Sequence, residues 1–157
     1  MQLVSSAAFS LGHGSNDAQK TAGIIILLLA SNGHADIDNP QQWIFYACYT
    51  VIGLGTLIGG WKVVKTMGHN LTPLKPMGGF CAETAGAITL FGTAALGIPA
   101  STTHTITGAI MGVGAAKRVS AVRWQVVTKI MWTWILTIPA SIIMSGLIYW
   151  LISLFAE

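Results

Sequence analysis

The stretch Gly97-Ile-Pro-Ala-Ser-Thr-Thr-His-Thr-Ile-Thr-Gly108 is polar, rich in hydroxyl groups and interrupted by a proline, and it separates two apolar segments. The apolar segment that follows, Thr105 to Ala116, has 12 residues before a basic pair. A helix of that length rises about 18 Å, whereas the hydrocarbon core of a bilayer is about 30 Å thick. The segment can therefore enter a membrane but cannot cross it.

A helix that begins inside a membrane must satisfy its first backbone N–H groups at depth. Hydroxyl residues cap helix N-termini, and a helix N-terminus carries a partial positive charge that attracts anions. The sequence therefore predicts an anion-binding helix start in mid-membrane, formed by Ser101, Thr102 and Thr103.

The composition is that of an integral membrane protein. Of the 157 residues, 53% are hydrophobic and 8% are charged, against about 25% charged in soluble domains. The net charge of +3 is small, and the basic residues cluster in segments 62–76 and 117–129, which predicts two cytoplasmic loops rather than nucleic-acid binding. Cys48 and Cys81 lie in or near apolar runs and are expected to pack as small apolar residues.

The first third of the chain has two apolar runs, Leu3–Leu11 and Ala18–Ala30, separated by Gly12-His-Gly-Ser-Asn-Asp17. Glycines free the backbone, and the polar residues after them are helix caps. We therefore expect a discontinuous membrane helix, with a second buried helix start capped by Ser15, Asn16 and Asp17. The chain lacks a basic N-terminal region and a cleavage site, so we expect residues 1–157 to be a fragment of a longer protein.

Two full-length spans are predicted next, Trp43–Trp61 and Met77–Leu96, joined by a loop from Lys62 to Pro76. The second span and the short helix after it form a hairpin, residues 77–116. The sequence leaves open whether this hairpin crosses the bilayer or re-enters it.

The last apolar region, Val122 to Phe155, is too long for one span. We expect an interfacial amphipathic piece to about Lys129, followed by a span from Ile130 to Leu154.

Ionisable residues at membrane depth are costly and are candidate functional groups. Asp17, with the amide of Asn16 beside it, and Glu83 are predicted to bind a cation or a proton. The alternatives are a polar cap near the interface for Asp17 and a packed, neutral or paired carboxyl for Glu83. Lys20 either neutralises Asp17, attracts an anion, or extends to the interface.

The histidines do not indicate an enzyme. His104 and His13 are expected to pack or donate hydrogen bonds, and His34 and His69 fall in loops. The sequence has neither a zinc-binding spacing nor a nucleophile elbow or a Ser-His-Asp arrangement.

The predicted site pairs donors that suit a tetrahedral oxyanion with carboxylates that would repel one. If Asp17 and Glu83 shared a cavity with phosphate, the repulsion in a low dielectric would be large unless a proton or metal cation bound as well. Anion binding would then depend on cation binding, which is the thermodynamic basis of a symporter.

Two motifs resemble those of the inorganic phosphate transporter (PiT) family. Gly14-Ser-Asn-Asp-Ala-Gln-Lys-Thr21 is similar to its Gly-x-Asn-Asp signature, and Pro99-Ala-Ser-Thr-Thr-His-Thr-Ile-Thr-Gly108 to its Pro-x-Ser-Thr-Thr-His motif. Gly79-Phe-Cys-Ala-Glu83 and the Trp-rich last helix also fit, so the resemblance covers nearly the whole chain. It implies an all-α carrier of two inverted halves, of which residues 1–157 are the C-terminal half.

The resemblance also implies a function: symport of inorganic phosphate with a proton or sodium across the cytoplasmic membrane, the phosphate in some bacterial relatives moving as a divalent-metal complex. No other cofactor is implied. The expected partners are phosphate, the missing N-terminal half, membrane lipid and a second copy of the protein, but not nucleic acid. The implied phosphate ligands are Ser101, Thr102, Thr103 and Asn16. The implied cation ligands are Asp17, Asn16 and Glu83, with sodium at Asn16 and Asp17. His104 and Lys20 are implied as accessory groups.

Two alternatives remain open from the residues alone. One is a carrier of another oxyanion such as sulfate. The other is a non-transporting membrane module that keeps only glycines for helix packing, such as Gly55 and Gly59.

Overall fold

The computed structural model describes residues 1–37 and 39–156, and within them it is helical, without strands. Residues 1–122 form one compact unit, and the last helix belongs to a second. This architecture agrees with the predicted all-α class. The helices are α1 (Gln2–Ser31), α2 (Gln42–Lys65), a π-helical turn (Thr66–Leu71), α3 (Pro76–Ala95), α4 (Thr102–Lys117), a 3-10 turn (Val119–Ala121) and α5 (Trp124–Ala156).

Helix α1 is one continuous helix of 30 residues, so the predicted break at residues 12–17 is wrong. A glycine in a helix interior costs only about 1 kcal/mol, and the segment has no proline. Gly12 instead permits close packing, because a Cβ there would lie 3.4 Å from Leu90 Cβ on α3. Asn16 and Asp17 therefore lie inside a helix, and they do not form a second helix start.

Helices α1 and α3 run parallel. Gly86 of α3 lies directly under the ring of Phe9 of α1. A Cβ added at Gly86 would come within 2.8 Å of that ring. Successive contacts advance along both helices together, at Gln2–Gly79, Ser5–Glu83, Phe9–Gly86 and Gly12–Leu90.

Helix α4 runs antiparallel to both and completes the predicted hairpin. Ile106 lies near Gly86 in the middle of α3, and Val113 near Gly78 at its start. The connection between the helices turns at Gly97, whose φ of 69° is in the left-handed region that glycine adopts readily. The tip of the hairpin contacts α1 near its middle, at residues 17–20.

The start of α4 is capped by a hydroxyl residue, as the sequence predicts. Ser101 is the N-cap, and its hydroxyl oxygen accepts a hydrogen bond from the His104 N–H at 3.4 Å. The helix begins at Thr102, within the predicted start, and includes three residues before the apolar segment. Its 16 residues rise about 24 Å, which is still less than the thickness of a bilayer core.

The second half of α1 packs against the start of α2. The buried side chains in this contact are small or β-branched, which allows the two helices to approach closely. Cys48 is buried there, as predicted, whereas Cys81 is exposed, and both are free thiols. The cluster consists of Ala18, Ala22, Ile26, Ile44 and Cys48.

Two further boundaries differ from the prediction. Segment 62–65 continues α2 and is followed by the π-helical turn, so the loop expected from Lys62 is shorter. Helix α5 runs unbroken from Trp124 to Ala156 with Pro139 inside it, so the predicted division at Lys129 is wrong. No glycine or proline lies between Trp124 and Ile138 to end α5, and Gly59 and Gly60 before Lys62 do not end α2.

Among the residues that the structure describes, two helical segments are long and apolar enough to cross a membrane, Gln42–Trp61 and Trp124–Leu154. The predicted span 77–96 is helical as expected, but it is not one of these two. Its helix carries Glu83 and three threonines, which lower its hydropathy.

Candidate functional site

The two motifs meet where the N-terminus of α4 contacts the middle of α1. The Thr102 hydroxyl donates a hydrogen bond to Asp17 Oδ2 at 3.1 Å, across 85 positions of sequence. Thr102 is buried, and Asp17 is half-buried. The contact links the first residue of α4 to α1, so it fixes the hairpin tip to that helix.

Lys20 strengthens the same link. Its ammonium lies 3.3 Å from Asp17 Oδ1, one helical turn away on α1. It also donates to the backbone carbonyl of Ala100, in the non-helical segment before α4. Of the alternatives for this residue, the structure shows the one in which Lys20 pairs with Asp17.

His13 lies on the other side of the carboxylate. Its Nδ1 is 3.7 Å from Asp17 Oδ2, and its ring stacks on Phe9 with centroids 6.2 Å apart. The side chains of His13, Asp17 and Lys20 are each exposed by 35–37%, so the carboxylate is within reach of a small ion.

The rim of the α4 N-terminus is rich in donors. His104 Nδ1 lies 2.6 Å from the Ser101 hydroxyl, and Ser101, Thr103 and His104 are exposed. Thr105 donates its hydroxyl to the carbonyl of Ser101 within its own helix. The groups left facing outward therefore belong to the first turn, where the helix carries its partial positive charge.

Asn16 is 7% exposed and lies on a different face from Asp17. Successive residues of a helix point about 100° apart, and Asn16 shares its stripe with Gly12, which packs on α3. The amide takes no part in the hydrogen bonds of Asp17, Lys20 and Thr102 described above.

Glu83 lies in a separate place. Its carboxylate Oε2 accepts a hydrogen bond from the Ser5 hydroxyl at 2.6 Å. Ser5 precedes Asp17 by 12 positions, which is about 18 Å along α1. The expectation that Asp17 and Glu83 share one cavity is therefore wrong, because α3 runs parallel to α1 and carries Glu83 near its start.

A cavity of about 410 Å³ adjoins Glu83. Its walls are mainly apolar, and Asp17 does not line it. Glu83 supplies the carboxylate in these walls, and the Ser5 hydroxyl is its partner. The role of Ser5 was not predicted from the sequence. The lining includes Phe9, Met67, Lys75, Ala82, Ile106 and Ile110.

Two other groups were missed from sequence. The carbonyl of Ala100 is a backbone group, and only the capping residue Ser101 after it hints that it lies outside a helix. Thr72 is buried, and its hydroxyl has no hydrogen-bond partner among the described residues. The same residues contain no group of three or more His, Cys, Asp or Glu arranged to hold a metal ion.

Comparison with known proteins gives a family match. The model of the phosphate transporter family matches residues 1–145. A probable low-affinity inorganic phosphate transporter of Rhizobium meliloti is 55% identical over 99% of this chain and 47% of its own length. A protein of the same description from Bacillus subtilis is 39% identical over 98% of this chain and 46% of its own length.

The similarity extends to plants. The chloroplastic inorganic phosphate transporter 2-1 of Arabidopsis thaliana is 33% identical over 96% of this chain and 27% of its own length. The chain spans about half the length of the bacterial relatives and corresponds to their C-terminal half. No solved structure matches it.

Proposed function

This chain belongs to the phosphate transporter family, and from that premise we propose that it is one half of a carrier that moves inorganic phosphate across the cytoplasmic membrane together with a proton or sodium. Its relatives are transporters, not enzymes. The observation that carries the proposal is the hydrogen bond between Thr102 and Asp17, which joins both family motifs at one helix N-terminus.

Phosphate binds, on this proposal, at the first turn of α4. The proposed ligands are the hydroxyls of Ser101, Thr102 and Thr103, and the helix N-terminus supplies N–H groups and positive potential. Because Thr102 donates its O–H to Asp17, its oxygen can only accept from a protonated phosphate oxygen. His104, hydrogen-bonded to Ser101, is an accessory donor on the same rim.

The charge of Asp17 explains why positive charge must lie beside the bound phosphate. Two unit charges about 5 Å apart repel by about 3 kcal/mol at an effective dielectric constant near 20. Positive charge at Asp17 removes that cost. A proton or sodium ion bound there would couple cation and phosphate binding, whereas the Lys20 ammonium, 3.3 Å away, would supply the charge without a mobile ion. Asn16, next in sequence and buried, remains a proposed ligand for either ion.

Glu83 is proposed as a second cation or proton site. Its partner Ser5 lies about 18 Å along α1 from Asp17. The charge of Glu83 therefore acts on a separate cavity rather than on the bound phosphate. Phosphate entering as a divalent-metal complex would reduce the charge at the α4 site further.

The complete carrier requires more than this chain. We propose that residues 1–157 assemble with an N-terminal half of inverted topology, in contact with lipid and in a homodimer. Helix α2 offers exposed apolar side chains for such contacts. Its Gly55 and Gly59 are open as well, because a Cβ added at either would have no neighbour within 4 Å.

The test is uptake of radiolabelled phosphate by proteoliposomes that contain the purified full-length permease. We expect unlabelled phosphate and arsenate, but not sulfate, to compete with the label. Competition by sulfate alone would identify a different oxyanion carrier, and absence of uptake would favour a non-transporting membrane module.

A further inference from the structure

The surroundings of the Lys20 ammonium are those of a bound cation. It contacts one carboxylate oxygen, Asp17 Oδ1 at 3.3 Å, and one backbone carbonyl, that of Ala100. The other carboxylate oxygen accepts the Thr102 hydroxyl at 3.1 Å. The positive group is therefore held by one oxygen of α1, its own helix, and by one of the non-helical segment between α3 and α4, while Thr102 of α4 fixes the carboxylate.

Carboxylate and unwound-backbone carbonyl oxygens are the groups with which transporters coordinate mobile cations. An ammonium is a compact unit charge with three donors, so it satisfies the same oxygens. Unlike a free ion, it is tethered to α1 and cannot leave with the substrate.

A second cation at this carboxylate would lie close to Lys20. Two like unit charges about 4 Å apart, at an effective dielectric constant of 20, lower the affinity of the incoming ion roughly a thousandfold. His13 Nδ1, 3.7 Å from the other carboxylate oxygen, restricts the remaining side of Asp17.

We infer that Lys20 is a resident cation of the carrier: its ammonium occupies the position at Asp17 and Ala100 where a mobile coupling sodium ion would otherwise bind. The inference rests on the proposed function and deepens it. The Asp17 site in this half is then neutral and ready for phosphate without sodium. Removing the ammonium creates a vacant, negatively charged site for a monovalent cation.

The experiment compares variants of the full-length permease in proteoliposomes, with uptake of labelled phosphate measured in sodium chloride and in choline chloride at the same pH. For Lys20→Gln we expect slower uptake in choline and a sodium-to-choline rate ratio at least about fivefold above that of the unmodified protein. Lys20→Arg keeps the charge and should keep the original ratio. Lys117→Gln, at the exposed C-terminal turn of α4, is the matched control for loss of a lysine.

An unchanged ratio in Lys20→Gln, or equal uptake in choline by that variant and the unmodified protein, would overturn the inference. If the variant carries no phosphate in either salt, the decision falls to thermal unfolding of the purified proteins. Sodium should then raise the melting temperature of Lys20→Gln more than that of the unmodified protein, and equal shifts would overturn the inference. Failure of the unmodified protein to take up phosphate would count against the proposed function, while the unfolding comparison would still decide the role of Lys20.

Discussion

Asp17, in the middle of α1, accepts a hydrogen bond from Thr102, the first residue of α4, and this contact holds the hairpin tip against α1. Helix α1 has 30 residues and rises about 45 Å. A hairpin that ends against its middle therefore stops about halfway along a helix long enough to cross a bilayer. We propose from this geometry that the hairpin re-enters the membrane and does not cross it.

The first prediction concerns the carboxylate. Asp17→Asn should abolish phosphate uptake by the full-length protein, because the neutral amide no longer binds the positive charge, from Lys20 or a mobile ion, that lies beside the phosphate site. Its amount in the membrane should not change. Asp36→Asn, in the exposed segment between α1 and α2, is the control and should transport normally. Normal uptake by Asp17→Asn would remove the coupling argument.

The second prediction concerns the hydroxyl. Thr102→Val keeps the shape of a buried residue but deletes its hydrogen bond to Asp17, and bonds to charged groups contribute about 1.5–3 kcal/mol. We expect the KM for phosphate to rise about tenfold or more, with Thr102→Ser restoring most of the loss. Thr105→Val, whose hydroxyl bonds within its own helix, is the control. Equal KM values for the two valine variants would count against hydroxyl coordination.

The third prediction uses the separation of the two carboxylates. Ser5, the partner of Glu83, lies about 18 Å along α1 from Asp17. Glu83→Gln should therefore lower the maximal uptake rate while the KM for phosphate changes by less than twofold. Ser5→Ala, which removes the hydroxyl partner of Glu83, should shift the same rate in the same direction. A KM increase as large as that of Thr102→Val would place Glu83 at the phosphate site after all.

The fourth prediction tests the packing that positions the hairpin. Gly86→Val places a side chain where a Cβ is 2.8 Å from the Phe9 ring, and overpacking of this kind costs about 1–3 kcal/mol. Thermal unfolding of the purified protein should show the loss, and a second change, Phe9→Leu, should recover part of it. Gly108→Ala, with no other atoms within 4 Å of the added Cβ, is the control. Recovery by Phe9→Leu would exclude a backbone effect of Gly86 alone.

Local chemistry was readable from the sequence, and tertiary geometry was not. Ser101 was identified as a cap because capping depends on residues within one turn. Gly12 was misread as a break, because a glycine in an apolar helix can also serve a close helix contact, and the partner in that contact, Leu90, is 78 positions away. The distance between Asp17 and Glu83 depends on the relative direction of α1 and α3, which residue types do not encode. Three roles were predicted for Lys20 for the same reason, because its carbonyl partner, Ala100, lies in the segment between α3 and α4.

The central claim is that phosphate binds at the first turn of α4, beside Asp17. Its most direct test is a cryo-electron microscopy map of the full-length permease in lipid nanodiscs with saturating phosphate. We predict tetrahedral density within hydrogen-bonding distance of the hydroxyls of Ser101, Thr102 and Thr103, midway through the bilayer. Phosphate density in the Glu83 cavity, with the first turn of α4 at an aqueous surface, would contradict the account.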